Sequence, residues 1–289
     1  MANLKAIRRR IGSVKGTQKI TRAMKMVAAA KLRKAQETVE RFRAYADLTS
    51  TVLAEVASGA GSEDHPLLER RDAERSLVLV ISADRGLCGG FNTNLNKMVL
   101  DHWKGAEPQP EMSIIGKKAD AFFERRPVTI RERFPEVYED PGYAATAAVA
   151  RKLAAMYREG EVDRIDLAYN TMVSMVSQKP TLKKLLPIEL PTREVEEQTG
   201  LGPAGFIFEP GREELLGRLL PMYVEIEVYR ALLESMAAEQ AARMTAMEAA
   251  TNNAGDMIDH LTLIYNRARQ GAITNELLDI VGGAEALNK

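Results

Sequence analysis

The sequence predicts an α/β protein in which a long antiparallel coiled coil, formed by the N- and C-terminal helices, carries a compact central domain. Three observations predict it. Met1 to Ser58 and Met222 to Lys289 contain no proline, and all twelve prolines lie between Pro66 and Pro221. The proline-free ends carry apolar residues at alternating spacings of three and four, the seam of a coiled coil. The segment between them alternates short β-branched runs with amphipathic stretches, the pattern of a mostly parallel sheet. The boundaries expected from this are a helix over 1–58, an α/β domain with connecting loops over 59–209, and a second helix over 210–289.

The first helix has its seam at Leu4, Ile7, Ile11, Val14, Thr21, Ala28, Leu32, Ala35, Val39 and Phe42, interrupted by Gln18 and Lys25. A second stripe, Ile20, Met24 and Val27, runs beside it. Asn3 suits an N-cap, since its side-chain oxygen can accept a free backbone N–H. Gly59, Gly61 and Pro66 supply a stop. About fifty-five helical residues span roughly 80 Å, too long to lie on a small domain. Between Met1 and Gln36 stand eleven Lys or Arg and no Asp or Glu. Arg8, Arg9 and Arg10 sit near the helix N-terminus, where the macrodipole disfavours cations by roughly 0.3–1 kcal/mol each. Helix stability does not account for such a run, and an acidic partner does.

Composition narrows the function classes. The chain of 289 residues has a net charge of zero, so it is not a polyanion binder as a whole. From Met222 onward ten acids face five bases, so a basic first helix can attract an acidic last one. The single cysteine, Cys88, allows no disulfide within the chain. There is no run of eighteen apolar residues and no apolar core of a secretory signal. The basic, amphipathic N-terminus continues into the long seam, so it reads as structure, in keeping with a bacterial cytosolic protein.

In the central segment, strands are expected at Ser76–Ile81, Met112–Ile115, Val128–Arg131, Arg164–Ser174 and Leu182–Leu190, the last two joined around Gln178-Lys179-Pro180. Helices are expected in the amphipathic stretch after Asn92 to Trp103, from Lys117 to Arg125 and from Tyr143 to Arg158. The turn Ser82-Ala83-Asp84-Arg85-Gly86-Leu87-Cys88-Gly89-Gly90-Phe91-Asn92 sits where a Rossmann unit would place a pyrophosphate. Its G-x-x-G-G spacing fits neither dinucleotide nor P-loop fingerprints, and no lysine follows the glycines, which favours a tight structural turn. Asp84 and Arg85 can form a local ion pair. His65, His102 and His260 have no metal-ligand spacing. No nucleophile, zinc or redox motif appears. Arg193 to Gly205 reads as a connection, followed by the apolar Phe206-Ile207-Phe208-Glu209.

The last helix begins near Gly211, is kinked or restarted by Pro221, and is expected to run to Val281, where Gly282 and Gly283 can end it. Its seam is read at Met222, Ile226, Tyr229, Leu233, Met236, Met247, Ala250, Ala254, Met257, Leu261, Ile264 and Ala268, with Gln240 and Arg243 between. About seventy residues give roughly 100 Å, so some 20 Å should outrun the first helix. An isolated apolar-seamed helix is a poor end state in water. The overhang with Ile273, Leu277, Leu278, Ile280 and Val281 should therefore be enclosed by a partner.

Three stretches carry a family resemblance: Lys19-Ile20-Thr21-Arg22-Ala23-Met24-Lys25-Met26-Val27-Ala28-Ala29-Ala30-Lys31-Leu32, the Ser82 to Asn92 turn, and Tyr265-Asn266-Arg267-Ala268-Arg269-Gln270 followed by Ile273-Thr274-Asn275-Glu276-Leu277-Leu278-Asp279-Ile280-Val281-Gly282-Gly283-Ala284. The chain resembles the gamma subunits of bacterial F-type ATP synthases along its whole length. The resemblance implies a Rossmann-like central domain and a rotor shaft turned by the proton-driven membrane c-ring inside a ring of three alpha and three beta subunits, beside an epsilon subunit. It implies no catalysis and no cofactor on this chain, no nucleic-acid partner, and a peripheral place at the cytoplasmic face of the inner membrane through partners alone. Met24 and Lys25 match the segment facing an acidic loop of beta. Arg269, Gln270, Thr274 and Glu276 match the segment held near the catch loops of the ring. Phe206 and Glu209 match the foot that looks towards the c-ring. A middle-domain cysteine pair is lacking, unlike the redox-regulated chloroplast form. The readings set against it are a nucleotide-binding α/β enzyme with coiled-coil arms, which explains only the middle, and a coiled-coil nucleic-acid binder, which explains only the basic run.

Overall fold

The computed structural model describes residues 2–57, 65–72, 74–189 and 211–287. The chain divides into two compact units, Met1–Ala29 with Arg243–Lys289, and Ala30–Ala242. Both terminal helices, α1 (Ala2–Ala57) and α6 (Arg212–Leu287), contribute to each unit.

In the larger unit the strands are β1 (Ser76–Ile81), β2 (Glu111–Ile115), β3 (Ile130–Arg133), β4 (Arg164–Met172) and β5 (Gln178–Leu186). They form one sheet in the order β3-β2-β1-β4-β5, parallel except for β5, which pairs antiparallel to β4. β1 lies at the centre and reads SLVLVI because both of its faces are covered. Val78 and Val80 face α2 (Phe91–Gly105) and α3 (Lys117–Phe123) in a core with Leu95, Val99, Met112, Ile114 and Phe123. Leu77, Leu79 and Ile81 face the opposite way, into a core with Leu153 and Tyr157 of α5 (Tyr143–Arg158), Leu53 and Val56 of α1, and Leu220, Val224, Val228 and Leu232 of α6. The helical seams within this unit are thus part of the domain core. Tyr229 of α6 meets Phe42 of α1 and Tyr143 of α5 edge-on, with the two seam rings of Phe42 and Tyr229 4.8 Å apart.

Several expectations change here. β5 starts at Gln178, because the turn lies at Val173–Ser177, where Val173 N donates to Ser177 O. Pro180, read as part of the turn, sits in β5 opposite Asn170. β5 is an edge strand, where a missing donor is tolerated. β3 lies two residues beyond its expected position, after a register shift at Met112/Ser113. A short helix, α4 (Pro135–Glu139), opens with proline at its first turn and brings Tyr138 Oη to Glu239 at 2.7 Å. Pro221 stands inside α6, which continues through Gly282 and Gly283 to Leu287 rather than stopping at Val281. Glycine weakens a helix interior by only about 1 kcal/mol, so neither residue dictates a stop. α1 already includes Ala2, so Asn3 is not its N-cap. Gly59, Gly61 and all of Arg193 to Gly205 lie outside the described residues; Pro66 belongs to a turn.

In the smaller unit the two helices pack antiparallel: Thr21 meets Thr251, and Lys25 meets Glu248. The α1 seam is as read, with Ala28 and Thr21 buried and Leu4, Ile7, Ile11 and Val14 half-buried. Gln18 and Lys25, which interrupt its apolar pattern, occupy seam positions and are half-buried too. The α6 seam differs. It runs Met247, Thr251, Ala254, Ile258, Leu261, Tyr265, Ala268 and Ala272, each buried or half-buried. Met257 and Ile264, expected in it, are exposed. Two heptad tracks share Met247, Ala254, Leu261 and Ala268, and hydropathy alone favours the track that the fold leaves outside.

Candidate partner-contact surface

In doubly wound sheets, ligands bind in the crevice beyond the carboxyl ends of the strands, where the strand order reverses. Here that point lies between β1 and β4. It is filled by α6: Ser235, fully buried, donates to the Ile81 carbonyl at 3.4 Å, with Ala231 and Ala238 buried in the same core.

The glycine turn after β1 is equally committed. Ser82 Oγ accepts from Ala119 N at 2.8 Å, and Asp84 Oδ1 accepts from Lys117 N at 2.9 Å. These are the free donors at the start of α3, the groups that would otherwise receive an anion. Asp84 therefore caps α3 instead of pairing with Arg85. Gly116, at φ 97°, lets β2 turn into α3 against the Ser82 carbonyl; a Cβ there would come within 2.0 Å of it. Asn92 Oδ1 accepts from Ala83 N at 3.0 Å, and its Nδ2 donates to Cys88 Sγ at 3.2 Å. Cys88 is buried. Leu87, by contrast, is exposed with φ 62°, an apolar residue in a conformation that non-glycine residues rarely adopt. Sequence pattern had no means of showing that its side chain faces outward.

The titratable groups of this unit serve structure. Arg75 donates to Asp163 from N, Nε and Nη2, at 2.9, 3.2 and 2.9 Å, and this pairing holds the Asp163 carboxyl below its ordinary range. Buried Glu227 accepts from Lys183 Nζ at 2.5 Å. Burial, then Glu225 at 3.0 Å, pushes the Tyr143 hydroxyl up to about 12. Burial and then Arg158 hold the His65 imidazole below its usual value, and its Nδ1 accepts from Leu67 N. Among the described residues no group of His, Cys, Asp and Glu could hold a metal ion. An open cavity of about 330 Å³ lies by Gln36, Glu40 and Arg43 of α1, Met172 of β4 and Glu234 of α6.

The residues singled out from sequence fall on the smaller unit, apart from Phe206 and Glu209, which lie outside the described residues. Met24 is half-buried beside the seam. Lys25 Nζ is 2.6 Å from Glu248 Oε1, so in the free chain its charge is already paired. Arg269, Gln270, Thr274 and Glu276 are exposed, and Thr274 Oγ1 back-bonds to the Gln270 carbonyl at 3.0 Å. The two groups do not form one site. Some twenty helical residues separate Glu248 from Arg269, roughly 30 Å along α6. Around the second group Ile273, Leu277, Leu278, Ile280 and Val281 are all exposed, Ile280 to 68 %. Single exposed apolar residues are ordinary, but five within nine positions of one helix mark an interaction surface.

Fold and surface together define a chain with an α/β unit and a unit of paired helices, with exposed apolar and basic residues on the helices. The family model described as ATP synthase matches residues 3–287. The ATP synthase gamma chain of Desulforamulus reducens is 46 % identical over 288 residues, covering 99 % of this chain and all of its own length. That of Sorangium cellulosum is 43 % identical over 323 residues, covering the whole of both chains. Among solved structures, a chain of the Euglena gracilis mitochondrial ATP synthase, in an assembly of OSCP, F1 and c-ring, shares the fold with a TM-score of 0.70 at 24 % identity, covering 99 % of this chain and 95 % of its own. The chain belongs to the ATP synthase gamma-chain family.

Proposed function

We propose that this chain is the central rotor shaft of an F-type ATP synthase, passing torque between a proton-driven c-ring and a catalytic ring of three alpha and three beta subunits. It performs no bond chemistry and holds no cofactor; nucleotide turns over on its partners. The observation that carries this reading is the run of exposed apolar residues from Ile273 to Val281, on a helix whose seam ends at Ala272. Such a surface needs an enclosing partner, and a ring of subunits supplies one.

Met24 and Lys25 meet an acidic loop of beta. Lys25 reaches it by exchanging Glu248 for a partner carboxylate, an inexpensive exchange because exposed ion pairs contribute little, about 0–1 kcal/mol. Arg269, Gln270, Thr274 and Glu276 engage the catch loops of the ring. Phe206 and Glu209 face the c-ring, and an epsilon subunit packs beside the central domain. No helix among the described residues is long and apolar enough to cross a membrane. Attachment at the cytoplasmic face of the bacterial inner membrane is then peripheral, through partners. The competing reading, a nucleotide-binding enzyme with coiled-coil arms, has to place its ligand where Ser235 and its neighbours already fill the crevice.

Co-purification with alpha and beta subunits tests the assignment. ATPase activity should appear only when this chain is present, and tight ATP or NAD binding by the isolated chain would overturn it. Truncation from Ile273 onward should weaken torque or assembly without abolishing hydrolysis. Met24→Lys, which sets a new cation beside the beta loop, should lower ATP yield per proton; an unchanged yield would remove that contact from the account.

A further inference from the structure

In the larger unit the chain approaches β1 along a short strap, His65 to Arg71, which lies on the end of α5. Pro66 holds the second position of a turn in which Leu68 N donates to the His65 carbonyl at 2.9 Å. Leu67 N donates to the His65 side chain, where Nδ1 accepts at 3.1 Å. The turn places Leu67 and Leu68 in the same buried core as Leu153 and Tyr157. The Leu67 carbonyl accepts from Ile188 N at 2.9 Å, which ties the strap to the chain leaving β5. Further on, Tyr157 Oη donates to the Glu69 carbonyl, and Arg71 Nη1 donates to the Tyr157 carbonyl at 2.7 Å. Glu69 and Arg71 also pair with each other, at 2.6 Å.

One bond of this strap depends on a proton. An imidazole nitrogen accepts only while it carries none, and in the imidazolium both nitrogens are donors. A proton on Nδ1 would set donor against donor at the Leu67 N–H. The ring is half-buried, and among the described residues Arg158 of α5 is the charged group that acts on it. Burial, then that guanidinium, hold its pKa below the ordinary 6.5. Glu63 and Asp64 precede it in sequence and lie outside the described residues. A base whose folded pKa is lowered contributes stability that is full above its unfolded value and is lost as pH falls below it.

We propose that His65 is a proton-operated latch: neutral, it fixes the strap on the end of α5 and on the chain leaving β5; protonated, it lets both go. The release is local to the strap and Ile188 and leaves β1 in place. This goes beyond the rotor reading and does not rest on it.

Amide exchange in the full-length chain, read residue by residue by NMR, tests the latch. Rates are expressed as protection over the intrinsic rate at each pH, so the pH dependence of exchange itself cancels. Between about pH 7.5 and about pH 5.5 the parent should lose protection at Leu68 and Ile188 by roughly fivefold, the worth of one hydrogen bond. Val80 in β1 should keep its protection over the same range. His65→Asn should be equally protected at both pH values, because an asparagine oxygen accepts from the N–H two residues on without titrating. His65→Ala should be lower by the same factor already at the higher pH and should not change with pH. The His65 ring signals should titrate with a midpoint below 6.5. Unchanged parent protection at the lower pH, a pH-dependent loss in His65→Asn, full protection in His65→Ala, an equal loss at Val80, or a ring midpoint at or above 6.5 would each overturn the latch.

Discussion

The two units are both built on α1 and α6, yet they stabilise those helices in opposite ways. In the larger unit the helices are part of a domain core. Leu53, Leu220, Val224, Val228 and Leu232 are fully buried there, against a sheet buried on both faces. In the smaller unit the same helices have only each other. Its most buried seam residue is an alanine, Ala28, two more positions are a pair of threonines, and most large apolar residues of its described part face outward. One unit spends its apolar surface on itself and the other leaves much of it unspent. Local opening free energies therefore differ along single helices, with the smaller unit at the low end. On the rotor reading proposed above, the exposed residues of the smaller unit become contacts on assembly.

Substitutions can break this comparison. The largest effect is expected from Gly116→Ala, where positive φ and a 2.0 Å approach to the Ser82 carbonyl leave no room for a Cβ. The larger unit should lose more than about 3 kcal/mol, read as a fall in urea midpoint or as failure to fold. Next comes Leu79→Ala in β1, expected to cost about 2–5 kcal/mol in the same unit. Leu261→Ala in the seam of the smaller unit should move global unfolding by less than about 0.5 kcal/mol, while speeding amide exchange in the α6 turns around it. Equal global costs for Leu79→Ala and Leu261→Ala would erase the distinction between the units.

Smaller effects sharpen the comparison. Asp163 has a depressed pKa in the folded chain, so its stabilising contribution is full above the ordinary carboxylate value of 3.8 and is lost as pH falls through the folded value. Asp163→Asn should lower the urea midpoint at pH 7, and the difference from the parent should shrink as pH falls below about 4. A gap that stays constant down to pH 2 would show that charge pairing with Arg75 is not its source. Lys25→Ala should cost the free chain no more than about 0.5 kcal/mol, since the pair with Glu248 is exposed.

Much of this was legible in sequence because two periodicities are explicit. Proline exclusion and the α1 heptads placed the long helices, and the SLVLVI run announced a doubly covered central strand. The α5 limits, Tyr143 and Arg158, follow from glycine before and after an alanine-rich amphipathic run. What failed to show has physical reasons. Pro180 marks turns in most settings but is tolerated at a sheet edge. Gly282 and Gly283 lower helix propensity without forbidding helix. The α6 seam runs one residue from Met257 and Ile264, because hydropathy cannot see the contact between Thr21 and Thr251. The capping of α3 by Ser82 and Asp84 joins residues more than thirty apart, so no local pattern contains it. Of the candidate contact residues, the resemblance points to positions, and the structure adds that Arg269, Gln270, Thr274 and Glu276 are exposed and that Lys25 is already paired.

A rotor shaft should turn within its ring of partners while they hydrolyse ATP. The most direct measurement fixes an alpha–beta ring to a surface, attaches a bead through Lys104→Cys on the exposed end of α2 in a Cys88→Ser background, and follows the bead by microscopy while ATP is hydrolysed. Stepwise rotation in one direction is expected, stopping when ATP is withdrawn. Steady hydrolysis by the assembled ring with a stationary bead, at a load where the parent linkage is intact, would contradict it.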